Sequence, residues 1–123
     1  KHLRINWTEG EKHFRNCLLD FNKANNIAQW QWVAGCGADA APYFRIFNPI
    51  LQGEKFDKEG LYVKKWVPEL KKVPNKFIHK PWEMELNFQK SINTFIGKDY
   101  PSPIVIHEKA RAAALQAFQS LKK

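Results

Sequence analysis

Three of the five tryptophans, Trp7, Trp30 and Trp32, lie in the first third of the chain. Indole rings can stack on flat ligands, carry single electrons or fill a core. Trp30 and Trp32 are two residues apart, so on a helix their side chains point about 200° apart. We therefore expect one ring to pack inward and the other to face a cleft. By spacing alone, two core anchors with one partly exposed ring remain the favoured interpretation.

The remaining candidate motifs predict no further chemistry. Residues 35–40 match the dinucleotide pattern GxGxxA, but that motif requires a strand before it and a full helix after it. Here a Trp-rich segment precedes it and Pro42 follows, so we reject a Rossmann interpretation. His79 and His107 are far apart in sequence and do not predict a metal site, and no nucleophile–base or carboxylate pair is recognisable from spacing.

Length and composition limit the class of protein. The chain has 123 residues, 44% of them hydrophobic and 26% charged, which suits one domain at most. No run of about 18 apolar residues occurs, so we expect no membrane span. Cys17 and Cys36 do not predict a disulfide framework, which favours a reducing compartment. Because the sequence begins at Lys1 without an initiator Met, we also expect it to be a fragment.

The charge balance leaves two interpretations open. Twenty Lys and Arg against twelve Asp and Glu give a formal charge of +8 and a pI near 9.6. A basic protein of this kind suits a polyanionic partner such as DNA. However, only four of the twenty basic residues are Arg, and a solvated, lysine-rich surface explains the same count.

Capping patterns predict the first helices. Thr8 and Glu11 have the spacing of a capping box, which predicts a helix over residues 9–19. A break over residues 20–24 should follow. A second helix then starts near Asn26, whose side chain could cap it, and carries both closely spaced tryptophans.

The rest of the chain predicts a helical domain with long ordered loops. Residues 49–53, with Pro, Gln and Gly, indicate a loop. Asp57 is the expected N-cap of a helix that continues to Trp66, and Pro68 should end that helix or bend it. Alanine-rich residues 107–121 predict an amphipathic helix. No alternating pattern longer than a few residues occurs, so the fold class is all-α.

The order and spacing of residue types along the whole chain form a further pattern. Residues 20–49 closely resemble the signature of the DNA photolyase and cryptochrome family, and the resemblance covers essentially the whole chain. The other matching segments are residues 6–11, 52–57, 62–70, 78–82 and 100–105. The chain looks most like a class I cyclobutane pyrimidine dimer photolyase. The resemblance implies that residues 1–123 form the C-terminal part of its helical FAD-binding domain, without the N-terminal α/β antenna domain or the first half of the FAD domain.

The resemblance implies a set of flavin contacts around the second helix. Asp20 matches an acid along the pyrimidine edge of the isoalloxazine, where a carboxylate accepts from the flavin N3–H. Phe21 and Asn22 continue that turn, and the family usually has Asp where this chain has Asn22. Asn26 matches the residue facing flavin N5, where a neutral amide can donate or accept. A helix N-cap role for Asn26 is compatible with this contact.

The resemblance also implies electron-transfer and DNA-binding residues. Trp30 and Trp7 match the proximal and middle members of a tryptophan chain that photoreduces the flavin. Trp32 matches the aromatic wall of the pocket for the flipped-out dimer. The segment that borders the DNA face contains three further matching residues, Arg45, Gln52 and Lys55. For Arg45, a structural role is nearly as well supported.

The implied activity is that of a deoxyribodipyrimidine photo-lyase, a carbon–carbon lyase that uses light and reduced FAD to split cyclobutane dimers in damaged DNA. A cryptochrome-type blue-light receptor is the main alternative, and a relative that binds DNA or flavin without repair is another. Asn26 and Trp32 favour repair. We further expect an antenna chromophore in the absent N-terminal domain, a monomer when full length and a cytoplasmic, nucleoid-associated location in a bacterium. The chain alone should be inactive.

Overall fold

The computed structural model describes residues 1–39 and 44–121, and the regular structure in these ranges is helical. Six α-helices, three short 3₁₀ turns and one isolated bridge between Ile96 and Tyr100 occur there. The helices are α1 (Trp7–Cys17), α2 (Lys23–Ala34), α3 (Pro49–Phe56), α4 (Leu61–Trp66), α5 (Leu86–Ile92) and α6 (His107–Ser120). The predicted all-α class is confirmed. Ala40 and Pro42, on which the rejected GxGxxA motif partly depended, lie outside the described residues.

The chain divides into two compact units. The first comprises Lys1–Ile46 and Val105–Lys123, and therefore contains α1, α2 and α6. The second comprises Phe47–Ile104 and contains α3, α4, α5 and the 3₁₀ turns. Across the described part of the chain, none of the helices combines the length and apolarity that a bilayer span requires.

Helix α1 begins earlier than predicted, and the Thr8–Glu11 capping box is wrong. Asn6 is the N-cap, and its Oδ1 accepts from the backbone N–H of Thr8 at 3.1 Å. Asn caps helices at least as well as Thr, so the upstream residue takes the role. Glu11 consequently lies a full turn inside the helix, where its side chain is buried.

Helix α2 also begins before the predicted start. Asn22 is its N-cap, with Oδ1 accepting from the N–H of Asn25 at 3.0 Å, so the capping role predicted for Asn26 is wrong. Asn26 lies in the first turn and is buried. The helix ends at Gly35, whose φ of 80° requires the left-handed region that glycine adopts without steric cost.

Helix α3 corrects the loop predicted for residues 49–53. Asn48 caps it by accepting from the N–H groups of Ile50 and Leu51 at 3.0 and 3.3 Å. Pro49 occupies the first turn, where its missing N–H is not needed and its fixed φ suits the helix. The proline that suggested a loop is therefore a helix start.

The Asp57 carboxylate binds backbone N–H groups at the start of α4, although Asp57 is not the N-cap residue. The N-cap residue is Gly60, whereas the Asp57 carboxylate accepts from the N–H groups of Tyr62 and Val63 at 3.1 and 3.2 Å. The prediction that Asp57 is the N-cap residue is wrong, but Asp57 does bind the start of the helix that was predicted. Helix α4 ends at Trp66 before Pro68, as predicted.

The core of the second unit is aliphatic and forms around the 3₁₀ turns. Leu70, Val73, Ile78 and Met84 are each no more than 3% exposed. Gly60 packs directly on this core, since a Cβ there would lie 2.6 Å from Cγ1 of Ile78. The predicted amphipathic helix near the C-terminus is confirmed as α6 in the first unit. The short helix α5 was not predicted.

Candidate functional site

A cavity of about 850 Å³ opens in the first unit between the start of the chain and the two packed helices α1 and α2. Trp7, at the start of α1, and Trp30, on α2, both line it. Asn6, Gly10, His13 and Val33 are among the other residues that line it. The structure therefore brings the two predicted electron-transfer tryptophans to one cavity.

Gly10 allows the Trp30 ring to lie against α1. A Cβ at Gly10 would be 2.2 Å from Cη2 of Trp30, far inside van der Waals contact. The edge of the Phe14 ring completes this contact, with ring centroids 5.1 Å apart and planes at 80°. A glycine inside a helical pattern signals a close approach of this kind, but the sequence analysis did not use it.

The pKa values of two titratable side chains at this cavity are lowered. Burial lowers the pKa of the Lys1 ammonium below its ordinary value. Burial also lowers the pKa of His2, helped by the nearby charges of His107 and the N-terminal amine. The His2 Nε2 and His107 Nδ1 atoms are 2.8 Å apart, so one of these nitrogens must lack a proton for a hydrogen bond to form.

Asn26 lies on the α1-facing side of α2 and is held by Glu11. Its Nδ2 donates to the Glu11 backbone oxygen at 3.0 Å and to the Glu11 Oε1 at 3.2 Å. The two residues are only 7% and 5% exposed. Among the described residues no hydrogen bond reaches Asn26 Oδ1. In the same residues, every fully buried side-chain nitrogen or oxygen has a hydrogen-bond partner. The Oδ1 atom is therefore not completely enclosed by the described residues.

Glu11 is itself fixed by Arg15 one turn later. The Arg15 Nη2 atom lies 2.9 and 2.8 Å from the two Glu11 carboxylate oxygens, and Nε lies 3.2 Å from Oε1. The Arg15 side chain is 48% exposed whereas that of Glu11 is 7% exposed. A surface cation thus neutralises a buried anion that contacts Asn26. The sequence predicts only a capping role for Glu11 and does not predict its contacts with Asn26 and Arg15.

The turn before α2 presents the other predicted cofactor contacts. Asp20 is exposed and Phe21 is half-buried. The side chain of Asn22 is engaged in capping α2. Asn and Asp cap helices about equally well, so the departure from the usual family residue leaves the local fold intact.

Trp32 differs from Trp30 in exposure, as the helical spacing predicted. Trp32 is 41% exposed, whereas Trp30 packs against Gly10 on α1. Arg45 is exposed in the same unit, and its backbone oxygen accepts from Lys1 Nζ. One aromatic face is thus available to a ligand while the neighbouring tryptophan is fixed.

Gln52 and Lys55 belong to the second unit, on α3. Gln52 is half-buried, and Lys55 is exposed with its Nζ 5.1 Å from the centroid of the Phe56 ring. Beside them, a Cβ at Gly53 would lie 2.4 Å from His79 Nδ1, and the Nε2 of that histidine lies 2.7 Å from the Asp57 backbone oxygen. His79 therefore has a structural role, and no group of three or more potential metal ligands occurs in the described ranges.

Known proteins place this arrangement in a family. A family model described as the FAD binding domain of DNA photolyase matches residues 1–120. The chain belongs to that family. The deoxyribodipyrimidine photo-lyase of Agrobacterium fabrum is 58% identical over the whole chain, which covers 26% of that relative. The predicted family resemblance is confirmed.

Solved structures of photolyases and cryptochromes share the fold of this photolyase-type domain. A class III photolyase from Agrobacterium tumefaciens is 57% identical with a TM-score of 0.91, and the match covers 99% of this chain and 25% of that one. A Synechocystis cryptochrome is 36% identical with a TM-score of 0.87, covering 94% of this chain and 24% of that one. The chain therefore spans about a quarter of the length of the relatives it matches. The class I assignment stays a prediction.

Proposed function

We propose that the polypeptide containing this chain repairs cyclobutane pyrimidine dimers in DNA, using light and reduced FAD. The observation that carries the proposal is the 58% identity, over all 123 residues, to a relative named deoxyribodipyrimidine photo-lyase. Relatives with the same name include one from Escherichia coli at 50% identity, also over the whole chain. The basic charge of +8 suits a DNA substrate.

The residues around the start of α2 fit a flavin. Asn26 Oδ1 is an acceptor without a hydrogen-bond partner among the described residues, and the Asp20 carboxylate before the helix is exposed. Both are acceptors, which suits the N–H groups of an isoalloxazine ring. The N-terminus of α2 also favours negative charge because of the helix dipole, and reduced flavin carries such a charge. We infer that Asp20, Phe21, Asn22 and Asn26 hold this part of FAD.

The cofactor supplies light absorption and reversible donation of one electron to the dimer, so the reaction has no net redox change. The protein's own residues arrange this chemistry. Trp30 and Trp7 conduct electrons toward the cofactor to keep it reduced, a role supported by their position on one cavity. Asn26 would lie beside flavin N5, where its neutral amide can donate or accept a hydrogen bond.

Trp32 and three polar side chains of the chain bind the DNA. A dimer flipped out of the duplex exposes flat rings, and the 41% exposed Trp32 offers an aromatic face for them. A distorted pair is easier to extrude than a normal one, which supplies damage specificity. Arg45, Gln52 and Lys55 position the phosphate backbone without recognising sequence.

A cryptochrome-type blue-light receptor is the second candidate, since a Synechocystis cryptochrome shares the fold at 36% identity. The neutral amide of Asn26 favours repair, because the resemblance associates Asp at this position with plant cryptochromes. A relative that binds FAD or DNA without repair would retain the same fold.

Other properties of the whole protein follow from the same proposal. An antenna chromophore binds outside this chain, the full-length protein is a monomer, and it acts in the cytoplasm on the nucleoid of a bacterium. This chain alone is inactive. Large apolar side chains are exposed in it, including Leu19, Phe56 and Leu61, and further parts of the polypeptide cover them.

The test uses the full-length gene product. The purified protein should show flavin absorbance and, when reduced and illuminated with blue light, should restore thymine absorbance in dimer-containing DNA, with no recovery in the dark. Trp30→Phe should slow photoreduction of the flavin, while chemical reduction restores repair. A protein that holds and photoreduces FAD but repairs no dimer would favour the receptor.

A further inference from the structure

We propose that His79 is a positioning residue for DNA binding, which holds helix α3 so that Gln52 and Lys55 can contact the phosphate backbone. The inference rests on the proposed function, which assigns those two side chains to the DNA. It adds a residue that acts through the helix, without contacting the nucleic acid itself. All of the contacts that carry it lie within the second unit.

The imidazole ring of His79 spans the last turn of α3. A Cβ on Gly53 would lie 2.4 Å from Nδ1 and 2.8 Å from Cγ of His79, so the ring lies directly against the helix backbone. At the other edge of the ring, Nε2 lies 2.7 Å from the backbone oxygen of Asp57, the C-cap residue. Because a carbonyl oxygen can only accept, Nε2 carries the hydrogen. The Asp57 N–H in turn donates to the Gly53 oxygen at 2.8 Å, so one side chain contacts both ends of a single helical turn.

Apolar burial does not hold this helix in the described part of the chain. Helix α3 has no buried residue, and its large apolar side chains Leu51 and Phe56 are exposed. None of the described side chains that pack on the aliphatic core belongs to α3. An ion pair between Lys80 and Glu54, at 3.2 Å, adds a second contact, but an exposed pair of this kind contributes little stability. We therefore infer that the two contacts of His79 hold the last turn of α3.

The turn that His79 holds presents Gln52 and Lys55 on its other side. With about 100° per residue, the direction midway between Gln52 and Lys55 is about 150° from the direction midway between Gly53 and Asp57. His79 can therefore fix the helix without occupying the face that the phosphates would use. A short amide such as that of Gln52 forms a hydrogen bond only over a narrow range of distance and angle, so its contact should depend on the position of the helix.

Dissociation constants for dimer-containing DNA, measured in the dark on the full-length protein, test this role. His79→Ala removes both contacts with α3 and should weaken binding about two- to tenfold, the equivalent of one misaligned hydrogen bond. His79→Gln should bind nearly as wild type, because its amide can still donate to the Asp57 oxygen. In both variants the light-driven repair rate at saturating DNA should be unchanged.

Leu70→Ala is the matched control for stability. It weakens the core of the same unit at a residue that packs away from α3, so its DNA binding should equal that of wild type. Should His79→Ala fail to fold, Gly53→Ala displaces the same ring, since its Cβ would lie 2.4 Å from Nδ1, and should weaken binding in the same way.

A double-mutant cycle tests whether the effect passes through α3. When Gln52→Ala and Lys55→Met are combined, the two phosphate contacts that His79 positions are gone. Adding His79→Ala to that background should therefore weaken binding no further, because interacting residues are not additive. A full additional loss would contradict positioning through the helix.

Other outcomes would also overturn the inference. Equal weakening by His79→Gln and His79→Ala would show that the ring acts on DNA by its charge, and equal weakening by Leu70→Ala would show a general effect of stability. Unchanged binding in His79→Ala would refute the role outright. A wild-type protein that binds dimer-containing DNA but repairs nothing in light refutes the proposed function, while the dissociation constants still test His79. A wild-type protein that does not bind this DNA refutes both.

Discussion

Both units bury polar side chains, including Gln89 and Thr94 in the second, but they differ in the aliphatic side chains that they bury. In the second unit Leu70, Val73, Ile78 and Met84 form a closed aliphatic core. In the described residues of the first unit, the buried side chains are those of Glu11, Asn26 and Ala114. The second unit therefore has an aliphatic core of its own, whereas the described interior of the first unit consists mainly of the polar pair Glu11 and Asn26.

The same contrast applies to glycine. Gly60 in the second unit packs on the aliphatic core at Ile78, and Gly10 in the first unit packs on the ring of Trp30. At each position the absence of a Cβ lets a side chain from another segment pack against the backbone. One contact closes a core, and the other places an aromatic ring at a cavity. We therefore expect substitutions in the core of the second unit to change stability alone, and substitutions at the Trp30 contact to change cofactor chemistry as well.

The largest effect on stability should come from the second unit. Leu70→Ala leaves a cavity in a core where Leu70 is 2% exposed, and we expect a loss of about 2–5 kcal/mol in the free energy of unfolding. Urea denaturation of the full-length protein measures it. The flavin absorbance and midpoint potential of the folded variant should be unchanged, and a shifted potential would contradict the division between the units.

A substitution in the first unit should affect both properties. Gly10→Ala forces the Trp30 ring away from α1, since the new Cβ would lie 2.2 Å from it. We expect a loss of about 1–3 kcal/mol from overpacking, together with slower photoreduction of FAD. Lys12→Ala in the same helix is the control for both measurements. Unchanged photoreduction at Gly10→Ala would separate Trp30 from the electron path.

Substitutions of the helix cap Asn22 test the effect of having Asn where the family usually has Asp. Asn22→Ala removes the hydrogen bond to the Asn25 N–H and should reduce stability by about 1 kcal/mol. Asn22→Asp keeps the cap and should change stability little. Thermal unfolding followed by circular dichroism compares the two. Equal losses in both variants would mean that Asn22 contributes something other than its cap.

The smallest effect should be a pH dependence in the second unit. Burial alone would raise the pKa of the Asp57 carboxyl, but the N–H groups of Tyr62 and Val63 outweigh it and hold the pKa below the ordinary value of 3.8. A lowered folded-state pKa stabilises the fold above the ordinary pKa, and this contribution is lost as the pH falls through the folded value.

Asp57→Asn should therefore unfold more easily than wild type at neutral pH, with a difference that shrinks below about pH 4. Midpoints of urea denaturation across that range measure the difference. Lys58→Gln, at the next exposed position, is the control. A difference that grows as the pH falls would contradict the assignment.

Sequence patterns predicted which segments are helical better than where the helices begin. The Ala-rich stripe gave α6 and the break at Pro68 gave the end of α4. The starts of α1 and α2 were missed because two good caps compete locally, Asn6 with Thr8 and Asn22 with Asn26. In both helices the upstream residue is the cap, and Asn26 is buried inside α2.

The site residues were predicted by family resemblance, whereas the spacing of Trp30 and Trp32 alone favoured core packing. Their difference in exposure agrees with the helical geometry. Glu11 was missed because its partner Asn26 is 15 residues away, and local spacing contains no signal for such a pairing.

The most direct test of dimer repair compares two tryptophans of similar exposure, Trp32 at 41% and Trp82 at 38%. Binding and light-dependent repair of dimer-containing DNA would be measured for the full-length protein and for each Ala variant. Loss of aromatic stacking in Trp32→Ala should weaken binding about tenfold or more and slow repair, whereas Trp82→Ala should behave as wild type. Equal effects of the two substitutions, or none from Trp32→Ala, would contradict the proposed dimer pocket.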